Sequence, residues 1–153
     1  MNEYIESTVI KNHYYELEKL SGISTDKFPN IIFLNQNINN DINRILNHID
    51  VLITDYSSVF YDFLILNRLI LFTPFDIDEY SKIDRELYDN YIDSVPGPIC
   101  NDWNDVMLNL KKYYKNIDGY NNRRQEVFKE FFNFSDNYNS KRIINRINNL
   151  FDV

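Results

Sequence analysis

Several residue types that build common sites are scarce or missing in this 153-residue chain. It has one cysteine, Cys100, so no internal disulfide can form and a disulfide-stabilised secreted scaffold is excluded. We expect Cys100 to be a small buried hydrophobic residue and not a nucleophile. Only three glycines are present, and neither a Walker loop nor a dinucleotide fingerprint occurs. Cysteine and histidine are not spaced as zinc ligands, so we predict neither a metal site nor a cofactor.

Long hydrophobic runs are also missing. No window approaches the roughly 20 apolar residues that a membrane-spanning helix needs. The most apolar stretch, residues 59–75, is interrupted by Asp62, Asn67 and Arg68. The acidic N-terminus lacks the apolar core of a signal peptide. We therefore expect a cytoplasmic location.

The net charge of −7 is unevenly distributed along the chain. Residues 1–110 carry 7 basic and 18 acidic side chains, whereas residues 111–153 carry 9 basic and 5 acidic ones. An acidic body argues against nucleic acid as a partner. The basic C-terminal part could face an anionic membrane surface, or it could be a solvated helical face.

Apolar runs alternate with helical patterns in the front half of the chain. The predicted strands cover residues 8–10, 31–34, 51–54 and 69–72, and the predicted helices cover residues 14–20, 38–49 and 58–67. Alternation of this kind predicts a parallel sheet with right-handed crossovers. The strands are continuously apolar, as expected when both faces of the sheet are covered. The fold class is therefore α/β with a doubly wound parallel sheet.

The back half of the chain is predicted to be helical after a long polar and aromatic segment, residues 75–101. Long loops in compact domains are usually functional or disordered. Apolar stripes at helical spacing then follow around residues 103–110, 127–132 and 143–151.

The turn after the third strand is the most informative candidate site. Ligands of open parallel sheets bind beyond the carboxyl ends of the strands. Asp55-Tyr56-Ser57-Ser58 lies at such an end and leads directly into a helix. Hydroxyls and unpaired N–H groups there favour a phosphate, although plain helix capping by Ser57 or Ser58 explains the same pattern. Asp62 could orient the serines or favour the helix N-terminus.

His13 is the second candidate, because it follows the first predicted strand. A histidine there could donate to a phosphate or carry a proton, and a purely structural role is the alternative. His48 is expected to lie on the surface of a helix.

Residues 50–63, with the order Asp-Val-Leu-Ile-Thr-Asp-Tyr-Ser-Ser-Val-Phe-Tyr-Asp-Phe, closely resemble the signature of the CDP-glycerol glycerophosphotransferase family. That family includes primases and polymerases of wall teichoic acid and related capsule enzymes. Residues 10–13, residues 78–88 and residues 96–99 agree with it in order and spacing. The resemblance covers approximately residues 8–110. Tyr14 and Leu69 stand where the family often has proline.

The resemblance implies a GT-B architecture in which the C-terminal Rossmann-like domain holds the CDP donor. Residues 1–118 would be that domain, N-terminally incomplete, and residues 119–153 a helical segment packed on it. His13 would be catalytic and would contact the donor pyrophosphate together with Ser57, Ser58 and Arg85. Asp55 and Asp62 would support these contacts.

The implied activity is transfer of glycerol phosphate from CDP-glycerol to a lipid-linked polyol-phosphate acceptor, in teichoic acid or capsule biosynthesis. The enzyme would be peripheral at the inner face of the plasma membrane. We expect the acceptor domain and a second histidine to lie outside this sequence, so that the chain alone binds donor with little transfer. The alternatives are a CDP-ribitol transferase or GT-B glycosyltransferase fragment, and a non-catalytic truncated remnant.

Overall fold

The computed structural model describes residues 7–11, 28–34, 41–77, 79 and 91–151. The strands are β1 (Thr8–Ile10), β2 (Ile31–Phe33), β3 (Val51–Thr54) and β4 (Leu69–Phe72). The helices are α1 (Asn43–Leu46), α2 (Val59–Leu64), α3 (Tyr91–Ser94), α4 (Trp103–Tyr114), α5 (Asn121–Phe131) and α6 (Asn139–Phe151). All four predicted strands are confirmed. The helix predicted over residues 14–20 lies outside the described residues. Of the helix predicted over residues 38–49, residues 38–40 lie outside the described ranges. In the remainder α1 covers only Asn43–Leu46, so the predicted helix is too long.

The strands pair in parallel, as the alternation of strands and helices predicted. Thr8 lies opposite Ile31 in the β1–β2 pair, and Val51 lies opposite Leu69 in the β3–β4 pair. Within the described ranges these are two separate two-stranded sheets, whereas a single four-stranded sheet was expected. Apolar periodicity predicts where strands occur, but which strand edges meet depends on packing that a single sequence does not reveal.

A further extended segment runs beside β4. The Phe72 N–H donates to the Pro98 carbonyl at 3.0 Å, and the Cys100 N–H donates to the Phe72 carbonyl at 2.8 Å. Ile99 thereby forms a parallel bridge with Phe72. The sequence predicted only a loop here, because Pro96-Gly97-Pro98 is a turn-like composition.

Strand β4 is the centre of the described core, and its four residues are all buried. Successive side chains of a strand point to opposite faces. Ile70 and Phe72 join a cluster with Phe63 of α2 and Val127 of α5. On the opposite face, the buried cluster contains Leu69, Leu71, Cys100 of the extended segment and Val106 of α4. Helices therefore cover both faces of β4, as its continuous apolar run indicated.

Cys100 is fully buried in that second cluster. Burial raises the pKa of its thiol, so the thiolate form is disfavoured. The expectation that Cys100 is buried is confirmed.

Helix α5 is held to the sheet by a buried arginine. The Arg124 side chain is 1% exposed and donates to both carboxylate oxygens of Asp118 and to the side chain of Asn67. Asn67 adopts a left-handed conformation with φ 48° in the turn before β4. The buried charge is thus paired and hydrogen-bonded, the condition under which a charge is tolerated inside a protein.

Helix α6 differs from the other long helices, because none of its 13 residues is buried. Its large apolar side chains lie on one side and are between 49% and 71% exposed: Ile143, Ile144, Ile147, Leu150 and Phe151. Lys141, Arg142 and Arg146 make the helix basic. In the part of the chain that is described, no helix has the length and hydropathy to cross a bilayer.

Candidate functional site

The candidate site is the turn between β3 and α2, at the carboxyl end of the β3–β4 pair. Strand β3 ends at Thr54, and α2 begins at Val59. The intervening Asp55, Ser57 and Ser58 are exposed, whereas Tyr56 is half-buried. The turn therefore presents two hydroxyls and a carboxylate to solvent at the edge where ligands of parallel sheets bind.

The two serines do not cap α2 in the expected way. Ser58 occupies the N-cap position, but within the described residues its side chain bonds to no helix N–H group. Ser57 Oγ accepts a long bond of 3.4 Å from the Val59 N–H. An ordinary N-cap accepts from the second or third residue of the helix, so capping explains little of this pattern. Both hydroxyls are left exposed to solvent.

Tyr56 ties the turn to the segment after β4. Its hydroxyl donates to Asp76 Oδ1 at 2.9 Å. Burial, and then the hydrogen bond to Asp76, raise the pKa of Tyr56 well above its usual range. Its hydroxyl consequently remains a donor at every physiological pH.

Tyr91 of α3 also contacts the turn. Its hydroxyl donates to the Asp55 main-chain carbonyl at 2.7 Å. Burial, and then the charge of Asp55, raise the pKa of Tyr91 well above its usual range. The rings of Tyr56 and Tyr91 also contact each other, with 5.4 Å between their centroids.

The ends of the two strands are also joined directly. The Thr73 N–H and the Thr73 hydroxyl both donate to the Thr54 carbonyl, at 2.8 Å and 3.2 Å. Beyond this junction, Phe75, Asp76, Ile77 and Glu79 line a cavity of about 310 Å³. Phe75 packs edge to face on Trp103, and the two ring centroids lie 5.6 Å apart. The edge thus combines hydroxyl donors with an open, partly aromatic cavity.

The predicted site residues are only partly within the described ranges. Asp55, Ser57 and Ser58 share one turn, and Asp62 follows in the first turn of α2, where it is exposed. His13 and Arg85 lie outside the described residues, so their convergence with the serines stays a prediction. Sequence reasoning gave no role to Tyr91 or Asp76. Their contacts are made across 36 and 20 residues of chain, and no local pattern marks such partners.

Comparison with known proteins agrees with the resemblance noted in the sequence. The sequence model of the family described as CDP-Glycerol:Poly(glycerophosphate) glycerophosphotransferase matches residues 4–149. A teichoic acid poly(ribitol-phosphate) polymerase of Bacillus spizizenii is 36% identical over 108 residues, 70% of this chain and 16% of that protein. A teichoic acid poly(glycerol phosphate) polymerase of Staphylococcus epidermidis is 40% identical over 93 residues, 61% of this chain and 12% of that protein.

Solved structures give the same result for the fold. A structure of a variant of the wall teichoic acid polymerase TagF, soaked with CDPG, matches with a TM-score of 0.63 and 30% identity. The match covers 92% of this chain and 34% of that one. The chain therefore spans about a third of the solved relative, and a smaller share of the two curated relatives.

Proposed function

The chain belongs to the CDP-glycerol:poly(glycerophosphate) glycerophosphotransferase family, and from this premise we propose that it forms the donor-binding part of a transferase. The reaction is transfer of glycerol phosphate from CDP-glycerol to a lipid-linked polyol-phosphate acceptor in teichoic acid or capsule biosynthesis. The observation that carries the proposal is the family match over residues 4–149, which contains the Asp55–Ser58 turn at the carboxyl edge of the sheet. The similarity to a TagF structure soaked with CDPG supports the same donor.

The proposed architecture is a Rossmann-like, doubly wound domain that corresponds to the C-terminal half of a GT-B fold. Two features support it. The strand pairs are parallel, and helices cover both faces of β4. Residues 1–118 form the donor domain in this proposal. Residues 119–153 form the helical segment packed on it, and Val127 of α5 supplies part of that packing.

The donor pyrophosphate is proposed to lie over the Asp55–Ser58 turn. Ser57 and Ser58 supply hydroxyl donors, and His13 and Arg85 supply the remaining contacts. Asp55 and Asp62 support the turn. Departure of CMP places negative charge on the leaving phosphate, and donors aimed at that charge lower the barrier. The acceptor hydroxyl must also lose its proton, and in this proposal the base is a histidine other than His13, because His13 contacts the pyrophosphate.

Charge balance makes the cationic residues necessary in this proposal. The described part of the edge carries the carboxylates of Asp55, Asp62 and Asp76. A pyrophosphate there is repelled unless cations offset them, since like charges at close range disfavour one another. Arg85 offers a planar set of donors suited to phosphate oxygens. Its contribution should therefore exceed that of either serine.

Ribitol is supported as an alternative polyol of the donor. The similarity to a poly(ribitol-phosphate) polymerase is comparable in identity to the similarity to a poly(glycerol phosphate) polymerase. CDP-ribitol is therefore the second candidate donor. The two donors share the CDP portion, so the turn would serve both, and only the polyol end would distinguish them.

The proposed location is the cytoplasmic face of the plasma membrane, with peripheral attachment. Helix α6 supports this, since its apolar side is exposed and its charged residues are all basic. Such helices lie in the interface of anionic membranes, with the apolar side among the acyl chains. Nucleic acid is not a proposed partner.

Donor binding is the direct test. The chain is titrated calorimetrically with CDP-glycerol, CDP-ribitol and UDP-glucose, and the Arg85→Ala variant is compared with Arg44→Ala. Arg44 is an exposed control that pairs only with neighbouring Asp41 among the described residues. We expect saturable binding of one or both CDP-polyols, weakened by Arg85→Ala alone. Equal binding of UDP-glucose, or no binding of any CDP-polyol, would contradict the proposal.

A further inference from the structure

Tyr91 is a buried polar side chain that contacts the candidate site. It begins α3, directly after the segment of residues 80–90, and only 8% of it is exposed. Its ring packs edge to face on Phe72, with 6.1 Å between centroids, and its hydroxyl reaches the Asp55 carbonyl at 2.7 Å. A ring held on two sides leaves the hydroxyl little freedom, because buried side chains occupy single rotamers.

The carbonyl that Tyr91 binds is the first one beyond the strand ladder. Register pairing of β3 with β4 ends at Thr54 opposite Phe72, and the Thr54 carbonyl is taken by Thr73. Asp55 continues past this last pair, so its carbonyl takes a side-chain donor in place of a strand partner. An unpaired carbonyl in a half-buried setting costs free energy comparable to a lost hydrogen bond.

The orientation of this one peptide unit determines where the next residues point. The Asp55 carbonyl and the Tyr56 N–H belong to the same rigid plane. Rotating that plane turns the backbone that carries Ser57 and Ser58. Tyr56, the next residue, is anchored in turn by the bond from its hydroxyl to Asp76. Two tyrosine hydroxyls therefore hold the first half of the turn.

We propose that Tyr91 is a positioning residue for binding of the donor's phosphates. Its hydroxyl holds the Asp55–Ser58 turn in the conformation that presents both serine hydroxyls. This inference rests on the proposed function, because it assigns the turn to pyrophosphate binding. Tyr91 itself does not contact the donor. The role belongs to the hydroxyl, since phenylalanine would fill the same space in the core and leave the Asp55 carbonyl without its donor.

The role makes a ligand-specific prediction. A loosened turn weakens contacts to phosphate but leaves contacts to the cytosine ring in place. A merely structural role would weaken every ligand alike. Cytidine, which has no phosphate, is therefore the reference ligand against which CDP-glycerol is compared.

The experiment is calorimetric or NMR titration of the 153-residue chain with cytidine and CDP-glycerol, for wild type, Tyr91→Phe and Ser94→Ala. Ser94 is the matched control, because it lies in the same helix and its hydroxyl also donates to a carbonyl, that of Tyr91, at 3.1 Å. Tyr91→Phe should weaken CDP-glycerol about tenfold, the upper range for one hydrogen bond. Cytidine affinity should stay within about twofold, and Ser94→Ala should bind both ligands as wild type does.

A second variant restores the donor. p-Aminophenylalanine at position 91 places an N–H where the hydroxyl was, and should return CDP-glycerol affinity to within about twofold of wild type. The inference is overturned if Tyr91→Phe binds CDP-glycerol as well as wild type, weakens cytidine equally, or unfolds the chain at 25 °C. Failure of the aminophenylalanine variant to restore binding overturns it as well. Absence of CDP-glycerol binding by the wild-type chain is a different outcome, since that rejects the proposed donor itself and with it the role assigned to Tyr91.

Discussion

Gly97 lies so close to Ile70 that a β-carbon at position 97 would overlap the Ile70 carbonyl oxygen. Ile70 is in the middle of β4 and is fully buried. No glycine in the described residues has positive φ, so close approach and not backbone conformation requires glycine here. This contact lets residues 98–100 lie alongside β4 and cover its second edge.

Gly97→Ala should destabilise the chain by at least roughly 1–3 kcal/mol, the range for forcing atoms into a packed core. The atom in the way is main chain of the central strand, which cannot move aside as a flexible side chain could. Gly119→Ala is the matched control, because nothing lies within 4 Å of the added carbon. Urea unfolding of both variants checks this. Equal midpoints for the two alanine variants would show that β4 and residues 98–100 are not closely packed.

Asp118→Asn should destabilise the fold by roughly 3 kcal/mol at pH 7, since it leaves the buried Arg124 charge without its partner. Burial alone would raise the pKa of Asp118, but hydrogen bonds from Arg124 and from the Tyr120 N–H lower it below its usual range. Because the pKa of Asp118 is lower in the folded state, its ionised carboxylate stabilises the fold at pH values above its unfolded-state pKa of about 3.9. This stabilisation is lost as the pH falls through the folded-state pKa. The difference from wild type should therefore shrink below about pH 4.

Asp136→Asn is the control for that experiment. Asp136 also pairs with an arginine, Arg142, but this pair lies at the surface. Exposed ion pairs contribute little, so the variant should melt close to wild type. Thermal melts of both variants between pH 3 and pH 7 provide the measurement. A pH-independent loss in Asp118→Asn would mean that its charge does not stabilise Arg124.

Ser57→Ala combined with Ser58→Ala should weaken CDP-glycerol binding roughly tenfold and leave the melting temperature nearly unchanged. Both side chains are exposed, and neither forms a regular helix cap. Loss of one or two hydrogen bonds to phosphate corresponds to such a change. Ser140→Ala on α6 is the control. Loss of stability with unchanged donor affinity would instead assign the serines to helix capping.

Ile147→Glu should release the chain from anionic liposomes, because it places a charge in the middle of the exposed apolar side of α6. Asn145→Glu adds the same charge on the opposite side and should reduce binding much less. Co-sedimentation with phosphatidylglycerol and phosphatidylcholine vesicles at two salt concentrations is the measurement. Binding to anionic vesicles should weaken as salt rises. Equal loss in both variants would show that charge alone, without insertion, accounts for the association.

The strands and their direction could be predicted from the sequence, because each strand is a continuous apolar run with helical spacing between. The Asp55–Ser58 turn could be recognised for a related reason: its residues are contiguous, and its place after a strand follows from the pattern alone. The single cysteine excludes an internal disulfide, and the positions of the charged residues show the uneven charge, without any knowledge of the fold. These features depend on residues near one another in the chain.

Other features depend on residues that are distant in sequence. The pairing of residues 98–100 with β4 requires Gly97 to meet Ile70, and Tyr91 reaches Asp55 across 36 residues. The division into two strand pairs and the exposure of one side of α6 likewise arise from how whole elements pack. The local sequence pattern indicates where strands and helices form and where the chain turns. Only tertiary contact decides which buried donor meets which carbonyl, because the free energy of such a bond depends on geometry that no local pattern encodes.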